Sequence, residues 1–246
     1  MKLAVIGGTG ALDLFQTLRK VALTTPFGAP SDRPRQVSVG DSEIWFLARH
    51  GDPHRVPPHK INYRANVHAL KVLGVDSVLA LNAVGGLTAE LPAGSMVAPD
   101  QIIDYTWGRA HTFSDGGSAP LKHIDFTRPF DGQLRSRLLV AARQAGHEVV
   151  DGGCHAVTQG PRLETAAEVA RLASEGNDMV GMTSMPEAAL AREAGLDYAG
   201  LCIVANAGAG LEEGPISEDD IHHVLQGAMR NVKAVIEALV GLDQGN

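Results

Sequence analysis

In the stretch FLARHGDPHRVPPHKINYRAN, Phe46 to Asn66, an apolar run ends on Arg49 and His50. A proline-stiffened loop then carries His54, Arg55, His59 and Arg64. An arginine at a strand end can grip a small oxyanion with two parallel N–H groups. His50, His54 and His59 raise the question of a metal, but no nearby Cys or Glu completes a ligand set, and no metal is expected. The competing reading is a solvated basic loop. Three more segments run into turns that offer donors to an anion. VIGGTG, Val5 to Gly10, places bare glycine N–H groups and the Thr9 hydroxyl after the first apolar run. It lacks the G-x-G-x-x-G spacing of a dinucleotide turn, and glycines that merely permit a turn are the alternative. ALNAVGGLTAELPAG, Ala80 to Gly94, follows its run with Asn82, Ala83 and two glycines, where the backbone is the donor. GNDMVGMTSMPEAALAREAG, Gly176 to Gly195, brings Met182 and Thr183 to a strand end before a helix, so Thr183 suits either an anion or an N-cap.

Two more side chains invite chemistry. Glu164, in TQGPRLETAAEVARL, follows a Gly-Pro turn and either caps the next helix or accepts a hydrogen bond from a ligand. Asn206 ends the apolar run Leu201–Ala205, at the mouth of what reads as a buried strand. Neither G-x-S-x-G, nor C-x-x-C, nor a Walker loop occurs.

The elements that must position these groups alternate. Strands are expected at Leu3–Ile6, Glu43–Ala48, Ser77–Ala83, Met96–Ile103, Cys154–Thr158, Met179–Met182 and Ala199–Ala205. Helices are expected at Asn62–Leu73, Asp131–Ala145, Thr165–Glu175, Pro186–Ala194 and Ser217–Leu242. Several strands are apolar without alternation, as when both faces are covered. This pattern implies one α/β domain over residues 1–246, with a mixed, mostly parallel central sheet and helices on both sides. Asp104–Phe130 stands apart as a loop-rich excursion that could reach a neighbouring subunit. A net charge of −7 and the lack of a basic run argue against nucleic acid and membrane surfaces. Cys154 and Cys202 lie in apolar runs and read as reduced packing residues. With no signal peptide or membrane span in evidence, the expected location is the cytoplasm.

Taken together, GGTG, RHG, PHKINYRAN, NAVGG, QGPRLET, GMTSMPE and AREAGLDYAGL occur in the order and spacing of the purine nucleoside phosphorylase / methylthioadenosine phosphorylase family, which the chain resembles over nearly its whole length. The resemblance is closest to the branch acting on 5'-methylthioinosine. It implies a homotrimer that cleaves a nucleoside with inorganic phosphate as co-substrate and uses no metal or organic cofactor. It also implies that Thr9, Arg49, His50, Asn82, the Ala83 backbone and Thr183 hold phosphate. Met182 would lie under the ribose, Leu163 and Glu164 would meet the base, and Asn206 would face the purine N7 and 6-position. His54 and His123 would approach the 5' end, His123 across a subunit interface.

The departures from the family pattern carry the specificity argument. Leu163 replaces a usual phenylalanine, and Asn206 and Gly208 stand where adenine-specific relatives carry aspartates. An ionised Glu164 only accepts, so it suits the N1–H of hypoxanthine, while Asn206 can donate to O6 and accept from a protonated N7. Adenine would leave groups mismatched at about 1–3 kcal/mol each. Ile221 aligns with a histidine that meets the 5'-hydroxyl in relatives taking ordinary nucleosides, and its apolar side chain suits a methylthio group. A one-residue shift would put His222 there instead. The expected reaction is therefore phosphorolysis of 5'-methylthioinosine, with Asn206, Glu164 and His50 as catalytic groups. The rivals are inosine/guanosine phosphorylase, methylthioadenosine phosphorylase and, more remotely, a non-catalytic purine-binding module.

Overall fold

The apolar runs fold as the inner strands of one sheet, and the helical segments cover its two faces. The computed structural model describes residues 1–8, 10–116 and 121–242. Its strands are β1 (Leu3–Gly7), β2 (Gln16–Lys20), β3 (Arg35–Val39), β4 (Ser42–Ala48), β5 (Ser77–Gly86), β6 (Met96–Ala98), β7 (Gln101–Asp104), β8 (Val150–Asp151), β9 (Cys154–Val157), β10 (Met179–Gly181) and β11 (Asp197–Ala207). The helices are α1 (Tyr63–Val72), α2 (Gln133–Gln144), α3 (Ala166–Ser174), α4 (Ser184–Glu193) and α5 (Glu218–Gly241).

The sheet runs β2-β3-β4-β1-β5-β10-β9-β7, with β11 also on β5 and β6 and β8 extending from β11. β1 pairs parallel with β4 and β5, β11 with β5, and β9 with β10 and β7. The antiparallel contacts are β2–β3, β3–β4, β5–β10 and β6–β11. Successive residues of β1 serve opposite faces, as strand geometry requires. Leu3 and Val5 join α2 and α5 in one core, whereas Ala4 and Ile6 join α1 and α4 in another.

Helix starts follow local chemistry. The Asn62 side chain accepts from Ala65 N–H at α1, and Ser217 accepts from Asp220 N–H at α5, whose first turn holds Glu218, Asp219 and Asp220. The strand expected over Met96–Ile103 is two strands in different parts of the sheet. Pro99 lacks the N–H that would continue the ladder, so β6 ends before it and β7 starts afresh beside β9. The strand ending on Ala205 instead runs on to Ala207 through a β-bulge between Val204 and Asn206. Among the described residues, no helix is long and apolar enough to cross a membrane.

Candidate active site

β5 has a gap beside it. Along one edge it pairs with β1 as far as Ala80 and with β10 from Gly85, and Leu81, Ala83 and Val84 face a cavity of about 480 Å³ where those two partners separate. The ends of β1, β4, β9, β10 and β11 converge on this opening, the usual place for a ligand in such sheets. Thr9 lies outside the described residues. Gly8 precedes it on the cavity wall, and a Cβ there would come within 3.3 Å of the His50 ring and 3.6 Å of Arg49 Nη1.

At this end Arg49 is 1 % exposed and Glu187 is 0 %. Arg49 Nε donates to Glu187 Oε2 at 2.8 Å, Nη2 to Oε1 at 2.9 Å, and Nη1 to the Leu81 carbonyl at 2.9 Å. Three of the five guanidinium N–H groups are thereby engaged, and one each on Nη1 and Nη2 stays free for an anion. Tyr198 adds a hydroxyl donor to Glu187 Oε1 at 2.9 Å. Burial opposes the arginine's charge, but Glu187 more than offsets it and pushes the pKa up. Next to it, His50 Nδ1 lies 2.7 Å from the Val56 carbonyl and its ring stacks on His54 at 4.2 Å. Burial, reinforced by Arg49 and His54, lowers the His50 pKa to about 4 against the opposing Val56 contact. His50 is therefore neutral near pH 7, with Nδ1–H given to Val56 and Nε2 left as an acceptor.

The N-cap reading of Thr183 fails: it occupies the N-cap position of α4 without a side-chain cap, and its hydroxyl donates to Asn82 Oδ1 at 3.3 Å. Asn82 itself is buried and stands behind Thr183 rather than on the cavity wall. Behind both is His155, 1 % exposed, with Nδ1 at 3.2 Å from the Ser184 hydroxyl and a pKa lowered to about 3 by burial and Arg49.

Leu163, Glu164, Met182, Asn206, Gly208 and Ile221 also stand on the wall of the same cavity. The cap reading of Glu164 fails as well, since Thr165 and Glu168 form the capping box of α3. Glu164 Oε1 instead accepts from the Thr158 hydroxyl at 2.6 Å, leaving Oε2 free. Gly160, at φ +61, makes the turn before it, and a Cβ there would sit 2.5 Å from Met182 Sδ. The bulge in β11 turns Ala205 and Asn206 together towards the cavity. Asn206 Nδ2 donates to the Ala207 carbonyl at 2.6 Å, so its second N–H and Oδ1 remain available. A Cβ at Gly208 would meet Val169 Cγ1 at 3.0 Å, Leu87 Cδ2 at 3.1 Å and the Gly86 carbonyl at 3.2 Å, which resists an aspartate there.

The start of α5 divides between the cavity and the surface. Ile221 lines the cavity with Ile216 and Glu218, while His222 and His223 are exposed and are not on its wall, although His222 lies close enough to act on His54. His54 lines it too, its pKa lowered by burial and by His222. His123 is exposed and does not line its own chain's cavity. The excursion it belongs to docks partly on its own chain, where Thr112 Oγ1 and Phe113 N–H donate to Glu193. Sequence reasoning missed Glu187 and Tyr198. Glu187 looks like an ordinary first-turn acid of α4, and the one available signal was that it precedes an apolar face rather than a polar one.

A family model described as "Phosphorylase superfamily" matches residues 2–241. A protein of Xanthomonas campestris pv. campestris named "Probable S-methyl-5'-thioinosine phosphorylase" is 51% identical over 85% of this chain and 84% of its own length. The 6-oxopurine nucleoside phosphorylase of Pyrococcus furiosus is 40% identical over 98% and 92%. The solved structure of Schistosoma mansoni methylthioadenosine phosphorylase in complex with adenine superposes with a TM-score of 0.94 at 35% identity, covering 100% of this chain and 93% of that one. With a cavity of this build and matches of this extent, the chain belongs to the phosphorylase superfamily, in its purine nucleoside and methylthioadenosine phosphorylase family.

Proposed function

We infer that the chain catalyses phosphorolysis of 5'-methylthioinosine, giving hypoxanthine and 5-methylthioribose 1-phosphate. The observation that carries this reading is that Glu164 and Asn206 share one cavity with the free edge of Arg49. Phosphate is held by Arg49, Thr183, Thr9 and the Ala83 N–H. Ala83 sits two residues beyond Leu81, whose carbonyl already faces the gap beside β5. Neutral His50 offers Nε2 to the hydroxyl of hydrogen phosphate. Confining this anion beneath the anomeric carbon removes much of the entropic barrier.

In the reaction a phosphate oxygen bonds to C1' while the bond from C1' to N9 breaks, and the electron pair leaves with the purine. The phosphate proton ends on the base, so the products balance. Glu164 accepts from N1–H, and Asn206 donates to O6 and accepts from N7–H, stabilising the charge that develops on the leaving base. Ile216 and Ile221 give the 5' end an apolar wall beside the polar Glu218 and His54, and that wall gains roughly 25 cal/mol per Å² from covering a methylthio group. Methylthioadenosine is the alternative substrate that the name of the solved relative suggests, and a 6-oxopurine nucleoside such as inosine the one that the name of the Pyrococcus relative suggests. The crowding around Gly208 and the acceptor-only Glu164 weigh against the first, and Ile221 against the second. The same reading makes the enzyme a cytoplasmic homotrimer, with His123 lent to a neighbouring site and no metal or organic cofactor.

The test is base release from 5'-methylthioinosine, inosine and methylthioadenosine in parallel, each with and without phosphate. Phosphate-dependent hypoxanthine release, fastest from methylthioinosine, is the expected result. Faster inosine turnover would overturn the 5' assignment, and faster methylthioadenosine turnover would overturn the base assignment.

A further inference from the structure

Arg109 belongs to the loop-rich excursion after β7, yet it is buried, and its guanidinium lies behind the cavity rather than on its wall. Its partners are the turns that leave two different strands. After β9, Nη2 reaches the Thr158 carbonyl at 3.2 Å and the Gln159 carbonyl at 2.8 Å, and Nε reaches Gln159 Oε1 at 3.2 Å. After β10, Nη1 reaches the Met182 carbonyl at 2.9 Å and the Met185 carbonyl at 2.5 Å, on either side of Thr183. Nη1 is also 3.2 Å from the Tyr63 hydroxyl, which donates to the carbonyl of the cavity residue Pro58 at 3.0 Å.

These carbonyls have left the ladders of their strands, and a buried carbonyl without a partner is costly. One planar fork of five donors satisfies both turns at once, which a point-charge ammonium cannot do. The first turn leads into Leu163 and Glu164, and the second contains Met182 and Thr183.

We propose that Arg109 is a positioning residue that ties the base-reading turn to the phosphate turn, so that occupancy of one prepares the other. The proposal rests on the phosphorolysis reading, because it presumes that a purine nucleoside and an oxyanion share the cavity. Arg109 touches neither ligand, and its effect appears as coupling between them.

The experiment is calorimetric titration of 5'-methylthioinosine into the full chain without and with saturating sulfate, an oxyanion that cannot be transferred in its place. It is run on the wild type, Arg109→Lys and Arg109→Met. In the wild type sulfate should tighten nucleoside binding by about fivefold or more, within the usual range for coupled sites. In both variants that ratio should fall towards one while sulfate alone still binds. A purely structural role would lower melting temperature and active fraction in Arg109→Met and leave the ratio intact. Arg109→Lys, which keeps the charge, maintains the test if Arg109→Met does not fold. Wild-type coupling retained in a folded variant, or no coupling in the wild type, overturns the proposal. A wild type that binds neither ligand overturns the phosphorolysis reading beneath it.

Discussion

At one end of the cavity Arg49 is 1 % exposed, gripped by a carboxylate 138 residues away and braced by Tyr198, and the donors it leaves free are aimed before any ligand arrives. Elsewhere on the wall Leu163 is 43 % exposed, Glu164 hangs from one hydroxyl contact, and Ile216 and Glu218 lie around the start of α5. The first part is assembled from strand termini and a buried ion pair, the second from turns, the bulged end of β11 and the start of α5. A reaction that must hold a small, strongly hydrated anion needs fixed dipoles. Discrimination between nucleosides needs only a few exchangeable contacts. The architecture therefore places rigidity at the anion and variability at the base and the 5' group.

Substitutions in the two parts should differ in what they damage. The largest effect is expected from Glu187→Ala, which leaves Arg49 buried without its partner. Breaking such a pair costs about 3–5 kcal/mol, readable as a drop in unfolding free energy by urea titration, with KM for phosphate rising more than KM for nucleoside. An equal rise in both would erase the distinction. Next, Ile221→Asn should reduce the preference for methylthioinosine over inosine by roughly tenfold, the scale of one apolar group in a pocket, without moving KM for phosphate.

A third test concerns pH. His50 and His155 both have lowered pKa values in the folded chain, about 4 and about 3, from an ordinary 6.5. Below 6.5 the unfolded chain takes up protons that the native histidines refuse. Their contribution to stability is thus full above 6.5 and is lost as the pH falls towards the folded values, by up to about 1.4 kcal/mol per pH unit for each. Denaturation midpoints measured between pH 7 and 4 should fall accordingly, and His50→Asn should flatten the curve. The smallest effect is expected from Leu163→Phe, which restores a ring against the base. A gain of about 0.5–1.5 kcal/mol should lower KM for nucleoside a few-fold and leave that for phosphate alone.

How far the sequence could be read follows the same division. β1, β4, β5 and β11 are continuous apolar runs because helices cover both faces, and they were readable as such. β2, QTLRK, is exposed throughout, so it carries no hydrophobic signal, and the alternation in RQVSV of β3 is short and flanked by arginines and prolines. Arg49, His50, Ala83 and Thr183 were legible as strand-end residues, and the structure gathers them with Glu164 and Asn206 in one cavity. Glu187 was not, because its burial depends on an arginine just past the end of a distant strand. The bulge that turns Asn206 into the cavity was equally hidden, since it arises from register between β11 and β5 and not from any local motif.

The most direct test of the account is the ratio of kcat/KM for methylthioinosine to that for methylthioadenosine in the wild type and in Asn206→Asp. The account predicts a wild-type ratio well above one that falls by about fivefold or more in the variant, as one mismatched buried group at about 1–3 kcal/mol requires, with KM for phosphate unchanged. An unchanged ratio would contradict it, because the amide at the bulge would then not be reading the base.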